Sequence, residues 1–197
     1  LIISLSFSQE RSTIFNTGSP DDLTTGYLID ENHSIANRFT AFNSYVLEAM
    51  VFYMTAEEAI GANNVVVSIR EDDNGVPGAP ISDLSIWEHA IDLLHPNNYN
   101  LIVTTDLCIY LDEDNYYWWT IEAADESTNA VWIYSNGIFY NTASSEDAGE
   151  TWISGSYYAG AGGVWAEQIY EADMIDGDIN FDFITNVIDV INLVGYI

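Results

Sequence analysis

A succession of short, apolar segments, separated by clusters of Gly, Asn and Asp, constrains the fold more than any other feature of the sequence. One of them, residues 45–55, is apolar on both of its faces, which predicts a central strand covered on both sides. Further strands are predicted at residues 65–70, 81–91, 99–111, 115–123, 130–134, 138–141, 151–154 and 164–172. So many short strands without long helical periods predict an all-β fold, and specifically a β-sandwich.

Composition divides the chain into three parts. Residues 1–8 are apolar, and Ser6 and Ser8 precede Gln9 as small residues precede the cleavage site of a secretory signal peptide. An ordinary first strand is the alternative interpretation, but the signal remnant is favoured and implies export to the cell surface or the extracellular space. Residues 9–172 hold the predicted sandwich, for which 48% hydrophobic residues in a chain of 197 are sufficient. Residues 173–197 form a separate tail.

The net charge of the chain is extreme. Asp and Glu number 31, against three arginines and no lysine, which gives a net charge of −28. This charge repels phosphate backbones and anionic lipids, so nucleic acid is not expected as a partner. Membrane insertion is not expected either, because no other stretch is long and apolar enough to span a bilayer. A marine or saline source, where salt screens the self-repulsion, is the simplest explanation of the charge.

The tail carries the most readable chemistry of the sequence. Residues 178–189 place oxygen-bearing side chains at the first, third, fifth, ninth and twelfth positions of a loop with EF-hand spacing. With the backbone carbonyl of the seventh residue, the candidate Ca²⁺ ligands are Asp178, Asn180, Asp182, Ile184, Asn186 and Asp189. Phe183 stands at the sixth position, where Gly is usual, and costs about 1–2 kcal/mol or distorts the turn. The twelfth ligand is Asp rather than the longer Glu, and only three of the five side-chain ligands are charged, which favours weak binding. The alternative is a turn rich in Asp and Asn that caps an ordinary C-terminal helix.

The same stretch, from Gly177 through Asp189 and into an apolar helix, resembles one repeat of a dockerin. Dockerins are small calcium-folded modules that bind cohesin domains in secreted proteins, many of which handle polysaccharide. The resemblance covers about the last twenty residues. It implies calcium as a cofactor, a cohesin-like protein or a neighbouring subunit as partner, and a partner-selecting role for Val187 and Ile188. Whether a second repeat follows Ile197 is left open.

Residues 34–134 loosely resemble the jelly-roll domains of secreted choice-of-anchor proteins. The matching features are residues 36–39 before a long strand, the Asp-Asp-Asn-Gly-Val-Pro-Gly turn at residues 72–78, and the aromatic run at residues 115–119. The resemblance implies a jelly-roll-like, non-catalytic extracellular domain beside an anchoring tail. It transfers no binding residues.

Residues 145–152 fit the Asp-box pattern Ser-x-Asp-x-Gly-x-Thr-Trp, which resembles the hairpin loops of sialidase-like propellers. The Asp and Ser of that motif bond the turn backbone, and the Trp packs beneath it. We therefore expect a well-formed hairpin between two late strands and no contribution to glycoside cleavage. Turn carboxylates at residues 71–74 or 112–114 are candidates for a second ion, although solvated turn acids are commoner.

Aromatic residues are the other candidates for function. Six Trp and thirteen Tyr can provide a stacking surface for sugar rings. Those nearest to predicted turns are Trp87, Tyr157, Tyr158 and Trp165. Half-buried strand residues are the ordinary interpretation of each.

Three functions follow from these features. The first is an exported, non-catalytic β-sandwich with a calcium-dependent, dockerin-like connector for attachment or assembly. The second is a carbohydrate-binding module of a secreted polysaccharide-handling protein, and the third is a subunit of an extracellular filament or surface layer. An enzyme is not expected, since the chain lacks a nucleophile elbow, a phosphate-binding Gly loop and a His/Cys metal cluster.

Overall fold

The computed structural model describes residues 12–20, 22–56, 63–91 and 100–169. The predicted signal remnant at residues 1–8 and the predicted calcium loop and helix at residues 178–197 lie outside these ranges. The described elements are β1 (Ser12–Gly18), β2 (Gly26–Asp30), β3 (Ser34–Ala41), β4 (Tyr45–Ala56), β5 (Asn63–Asp73), β6 (Val76–Pro80), a 3-10 turn (Asp83–Ser85), β7 (Ile86–Ile91), β8 (Asn100–Leu111), β9 (Asn115–Ala123), β10 (Asn129–Ser145), β11 (Ile153–Gly160) and β12 (Gly162–Gln168).

The strands form two antiparallel sets. In the first sheet β4 is central, with β8 along one edge and β12 along the other, and β1 pairs with β12. In the second sheet the order is β11, β10, β3, β9 and β5, and both β6 and β7 pair with the remaining edge of β5. The prediction of an all-β fold is therefore confirmed, and the observed strand pairs are antiparallel.

Strand β10 belongs to both sheets. Its first part pairs with β2 and with the end of β4 in the first sheet. Its second part pairs with β11 and β3 in the second sheet. The register is irregular between Tyr134 and Phe139, where the strand passes from one sheet to the other. A bulge of this kind bends a strand and so allows it to turn the corner between two sheets.

The inner faces of the two sheets share one core. The Phe52 ring on β4 lies 4.6 Å from the Trp119 ring on β9, and Trp119 lies 4.9 Å from Trp132 on the first part of β10. All three side chains are fully buried. Such contacts join the sheets face to face, an arrangement consistent with a β-sandwich.

Strand β4 is central, as predicted, but it is not covered equally on both sides. Leu47, Met50, Phe52 and Met54 on one face are fully buried. Residues on the opposite face, such as Val51 and Tyr53, are only partly buried. Among the described residues, the second face of β4 is therefore less completely covered than the first.

Several predicted strands have different bounds in the structure. Residues 130–134 and 138–141, predicted as two strands, are parts of β10. Of the predicted strand at residues 151–154, only the last two residues are in a strand, because β11 begins at Ile153 and continues to Gly160. Residues 81–91 contain the 3-10 turn as well as β7, because the Ser82 hydroxyl caps the turn by accepting from the Leu84 N–H at 3.2 Å. The strand at residues 115–123 is confirmed at both ends.

The chain crosses from the second sheet to the first at Gly160-Ala161-Gly162. The Ala161 carbonyl accepts from Tyr53 N at 3.1 Å and from the Trp132 indole at 3.0 Å, while Ala161 N donates to the Ile133 carbonyl at 2.7 Å. A Cβ at Gly160 would overlap the Trp132 ring. The absence of a side chain at Gly160 therefore allows the indole to lie directly on the backbone.

Among the described residues, no helix is long and apolar enough to cross a membrane.

We expect Gly160→Ala to lower the free energy of unfolding by about 2 kcal/mol, because the added methyl must displace a buried indole that cannot move without disturbing Trp119. Denaturant unfolding measures the change. Ser156→Ala, at an exposed position of the same strand, is the control and should have little effect. Equal stability of the two variants would contradict the close packing at Gly160.

Candidate functional site

A cleft lined largely by tyrosines lies between β2 and the hairpin of β10 and β11. Its volume is about 290 Å³, near the lower end of the range for ligand pockets. We call it the tyrosine cleft, and its lining residues are Tyr27, Tyr134, Phe139, Thr142, Ser144, Tyr157 and Tyr158. All of them are uncharged, and they come from the three strands that meet where β10 changes sheets.

The rings of the tyrosine cleft pack on one another in a chain. Tyr27 meets Tyr134 edge-on at 4.7 Å, and Tyr134 lies 5.7 Å from Tyr158. Phe139 and Tyr158, cross-strand partners on β10 and β11, are 4.7 Å apart with planes inclined by only 30°. Exposed aromatic rings are a feature of binding surfaces. Here Phe139 is 59% exposed, Tyr157 50% and Tyr158 44%, so these three rings present the accessible surface.

Hydrogen bonds fix the wall of the tyrosine cleft. The Tyr27 hydroxyl donates to the Tyr158 carbonyl at 2.7 Å and so ties β2 to β11. The buried Thr142 hydroxyl donates to Asn37 Oδ1 at 3.3 Å. Partly exposed Ser144 adds a further hydroxyl to the lining. Burial raises the pKa of the Tyr27 hydroxyl well above its ordinary value, and burial also raises the pKa of Tyr134.

Two of the four predicted sugar-binding aromatics, Tyr157 and Tyr158, lie in the tyrosine cleft. Trp87 on β7 instead packs partly buried against the core, and partly buried Trp165 on β12 lies opposite Ala49 and Thr13. Neither Trp lines the cleft, and their role in binding stays a prediction.

The structure adds three aromatic residues that sequence reasoning missed: Tyr27, Tyr134 and Phe139. No local pattern distinguishes them from ordinary strand residues. Only the pairing of β10 with both β2 and β11 brings them beside Tyr158.

The Asp-box loop, residues 145–152, forms the predicted hairpin between β10 and β11. The Asp147 carboxylate accepts from the Thr151 N–H at 2.8 Å, from the Thr151 hydroxyl at 2.5 Å and from the Ser145 hydroxyl at 2.7 Å. These hydrogen bonds lower the pKa of Asp147. Trp152 packs against Ala36, Trp118 and Ala143 on the outer face of the second sheet. The structural role predicted for this motif is confirmed.

Both acidic turns considered as second ion sites form hydrogen bonds with aromatic side chains of β9. Asp72 Oδ1 accepts from the Trp118 indole at 2.7 Å, and Asp72 Oδ2 accepts from Gly75 N at 3.1 Å. In the turn at residues 112–114, the Asp112 N–H donates to the Tyr117 hydroxyl at 2.8 Å. Within the described ranges, no group of three or more His, Cys, Asp or Glu residues is placed to hold a metal. The predicted ligands at residues 178–189 lie outside those ranges.

A second cavity, of about 240 Å³, is acidic. It lies between the β2–β3 turn, the end of β9 and the Asp-box loop, and its charged lining residues are Asp30, Glu31, Glu122, Asp125 and Glu126. Three of these carboxylates already accept hydrogen bonds: Asp30 from His33 N, Glu122 from Arg70, and Asp125 from Ser127. The tyrosine cleft, with its accessible rings, is the stronger candidate site.

Both arginines in the described part of the chain are held in ion pairs. Arg70 Nη2 donates to Glu122 Oε1 at 2.6 Å, and Arg70 Nη1 donates to the Gly78 carbonyl at 3.1 Å. Arg38 Nε lies 2.9 Å from Asp72 Oδ1 without hydrogen-bond alignment, and its guanidinium carbon sits 3.9 Å above the Tyr116 ring. Neither arginine lines the tyrosine cleft.

Comparisons of the chain with models of protein families, with curated proteins and with solved structures found no match.

Alkaline pH should reveal the raised pKa of the hydroxyl on the partly buried Tyr27 side chain. Up to about pH 10, the ordinary pKa of tyrosine, this hydroxyl is protonated in the folded and unfolded states alike. Above that pH the unfolded state ionises while the folded state retains the proton, so the free energy of unfolding falls as pH rises toward the folded pKa. Denaturant unfolding over alkaline pH should show a shallower fall in Tyr27→Phe, and about 1 kcal/mol less stability at neutral pH because the Tyr158 carbonyl loses its donor.

Tyr116→Phe removes a hydroxyl from a ring that is 48% exposed, and it is the control for Tyr27→Phe. It should leave the alkaline fall in stability nearly unchanged. An equal effect of both variants would show that Tyr27 ionises like a solvated tyrosine.

Proposed function

We propose that this protein is a non-catalytic, extracellular β-sandwich module that binds carbohydrate through the tyrosine cleft. The observation that carries the proposal is the exposed pair Phe139 and Tyr158, whose rings lie 4.7 Å apart with planes inclined by 30°, beside exposed Tyr157. A sugar ring has a face of C–H groups and a rim of hydroxyls. It therefore needs a flat apolar surface with polar groups at its margin.

The tyrosine cleft supplies both requirements. The exposed rings of Phe139, Tyr157 and Tyr158 offer aromatic surface to the C–H face of a sugar. The tyrosine hydroxyls and the Ser144 hydroxyl belong to the same lining and can exchange hydrogen bonds with sugar hydroxyls. The fixed wall formed by Tyr27 and Tyr134 supports preorganised binding, because less side-chain freedom is lost when the ligand arrives.

A hydrolytic function is less well supported by this geometry. Glycoside hydrolysis ordinarily requires two carboxylic acids on either side of the scissile bond. No carboxylate is among the described residues that line the tyrosine cleft. Binding without cleavage is therefore the function that the cleft supports best.

Affinity electrophoresis in gels containing neutral polysaccharides, such as hydroxyethylcellulose, xylan, laminarin and agarose, tests the proposal. We expect retardation in at least one gel, and we expect Tyr158→Ala and Phe139→Ala each to weaken binding at least about tenfold, a loss near 1.4 kcal/mol. Phe42→Ala is the control, since Phe42 is 68% exposed in the β3–β4 turn and does not line the cleft. Absence of retardation in every gel, or equal losses in all three variants, would contradict the proposal.

We further propose that the C-terminal segment is a calcium-dependent connector of the dockerin kind, attached to a jelly-roll-like body. The support is the sequence alone: five oxygen-bearing side chains in EF-hand register at residues 178–189, followed by an apolar helical stripe. The partner would be a cohesin-like protein or a neighbouring subunit, contacted through Val187 and Ile188. Such a tail would hold the sugar-binding body on a larger extracellular assembly.

Calorimetric titration with Ca²⁺ tests the connector. The wild-type protein should show a binding event with a dissociation constant of about 10⁻⁵–10⁻³ M, the range of weak extracellular sites. Asp178→Ala should abolish this event, while Asp83→Ala, at an exposed position of the 3-10 turn, should retain it. A calcium-silent wild-type protein, or equal binding by both variants, would count against the connector.

A further inference from the structure

We infer that the tyrosine cleft selects uncharged glycans and rejects polysaccharides that carry carboxylate or sulfate groups. This inference rests on the proposed carbohydrate binding and names its ligand class. The first observation is the lining itself, which consists of tyrosines, one phenylalanine and two hydroxyl residues. An anionic sugar substituent entering the cleft would lose hydration without gaining a charge-assisted partner, which is costly.

The second observation concerns the cations that could supply such a partner. Arg38 and Arg70 lie on β3 and β5 of the second sheet and are only 20% and 17% exposed. Their partners, Asp72 and Glu122, are comparably buried. Recruiting either arginine for a ligand would leave a partly buried carboxylate without its cation, and breaking such a pair is strongly destabilising. Both arginines in the described ranges are therefore engaged in ion pairs and are unsuited to recognising an anionic ligand.

The third observation is the electrostatic field of the whole chain. A net charge of −28 repels an approaching polyanion. This long-range repulsion is screened at high ionic strength, since the Debye length falls to about 3 Å at 1 M salt. The lack of a cation among the described lining residues of the cleft is unaffected by salt. Rejection that persists in concentrated salt would therefore originate in the cleft.

The elevated pKa values of Tyr27 and Tyr134 support the same ligand class. Burial raises both, so these two hydroxyls remain neutral over a wide pH range. The Tyr27 hydroxyl already donates its proton to the Tyr158 carbonyl. The other hydroxyls of the lining are neutral donors and acceptors, and sugar hydroxyls can form hydrogen bonds with them.

Affinity electrophoresis with matched neutral and anionic polymers tests the inference. The probes are hydroxyethylcellulose with carboxymethylcellulose, neutral xylan with glucuronoxylan, laminarin with sulfated laminarin, and agarose with carrageenan. For each neutral polymer that binds, we expect binding to the charged partner to be weaker by at least about tenfold, both in dilute buffer and in about 1 M salt. Equal or tighter binding of the charged partner would overturn the inference and leave the proposed carbohydrate binding intact.

The remaining outcomes are also decisive. Failure to bind any polymer would overturn the proposed function, and the inference with it. Selectivity that disappears in concentrated salt would assign the discrimination to the net charge of the chain and overturn the role of the cleft.

A pair of variants separates the cleft from the net charge in a second way. Ser144→Lys places a cation in the lining, while Ser156→Lys places the same charge at an exposed position of β11 outside it. Only Ser144→Lys should gain binding, by about tenfold, to the charged partner of the neutral polymer that the wild type binds. Thermal unfolding of both variants verifies the fold. An equal gain in both, or a gain in neither from folded protein, would contradict selection by the cleft.

Discussion

The packing of Trp132 against Trp119 holds the two sheets together. This packing depends on Gly160, because a side chain at that position would overlap the Trp132 ring. The Trp132 indole lies on Gly160, bonds the Ala161 carbonyl and meets the Trp119 ring edge-on. The Thr17 hydroxyl donates to the Gly160 carbonyl at 2.7 Å from a third direction. Large buried aromatics contribute more to a core than any other side chains, and their paired geometry adds about 0.5–1.5 kcal/mol beyond burial. The chain crossing, the sheet contact and the core thus depend on the same few atoms.

The tyrosine cleft follows from the same arrangement. Because β10 leaves one sheet and enters the other, β2 and β11 lie on either side of the crossing. The rings of Tyr27, Tyr134 and Tyr158 fill the space between them without closing it. The wall is fixed by a hydrogen bond between β2 and β11, and the accessible rings stand on the hairpin outside it. A rigid core next to an open aromatic surface is the usual condition for a preorganised binding site.

The sequence allowed the fold class and the local motifs to be predicted, but not the register between distant strands. The strand at residues 115–123 was recognisable from its aromatic and β-branched residues, and the Asp-box loop from side-chain bonds that span only a few residues. Asn136-Gly137 is a dipeptide typical of hairpin turns, and two strands were predicted around it; the chain instead continues through it into the second sheet. Pairings within the other sheet outweigh the local turn preference.

Only part of the candidate site could be predicted from the sequence. Tyr157 and Tyr158 stand in a Gly-rich stretch that suggested exposure, and both are exposed. Tyr27 and Tyr134, more than a hundred positions apart in the chain, meet only through the antiparallel register of β2 with β10. No pattern within a short window encodes such a contact. The pattern at residues 178–189 is of the opposite kind, because it can be recognised within twelve consecutive residues of the sequence.

Because β10 pairs with strands of both sheets, local unfolding of one sheet should be coupled to unfolding of the other. In sandwiches whose sheets share no strand, one sheet can in principle loosen while the other persists as a separate cooperative unit. Here a single backbone of seventeen residues supplies ladder bonds to both sheets. Neither sheet can separate without losing ladder hydrogen bonds of β10. The backbone amides of both sheets should therefore lose their protection from solvent exchange together, as one foldon.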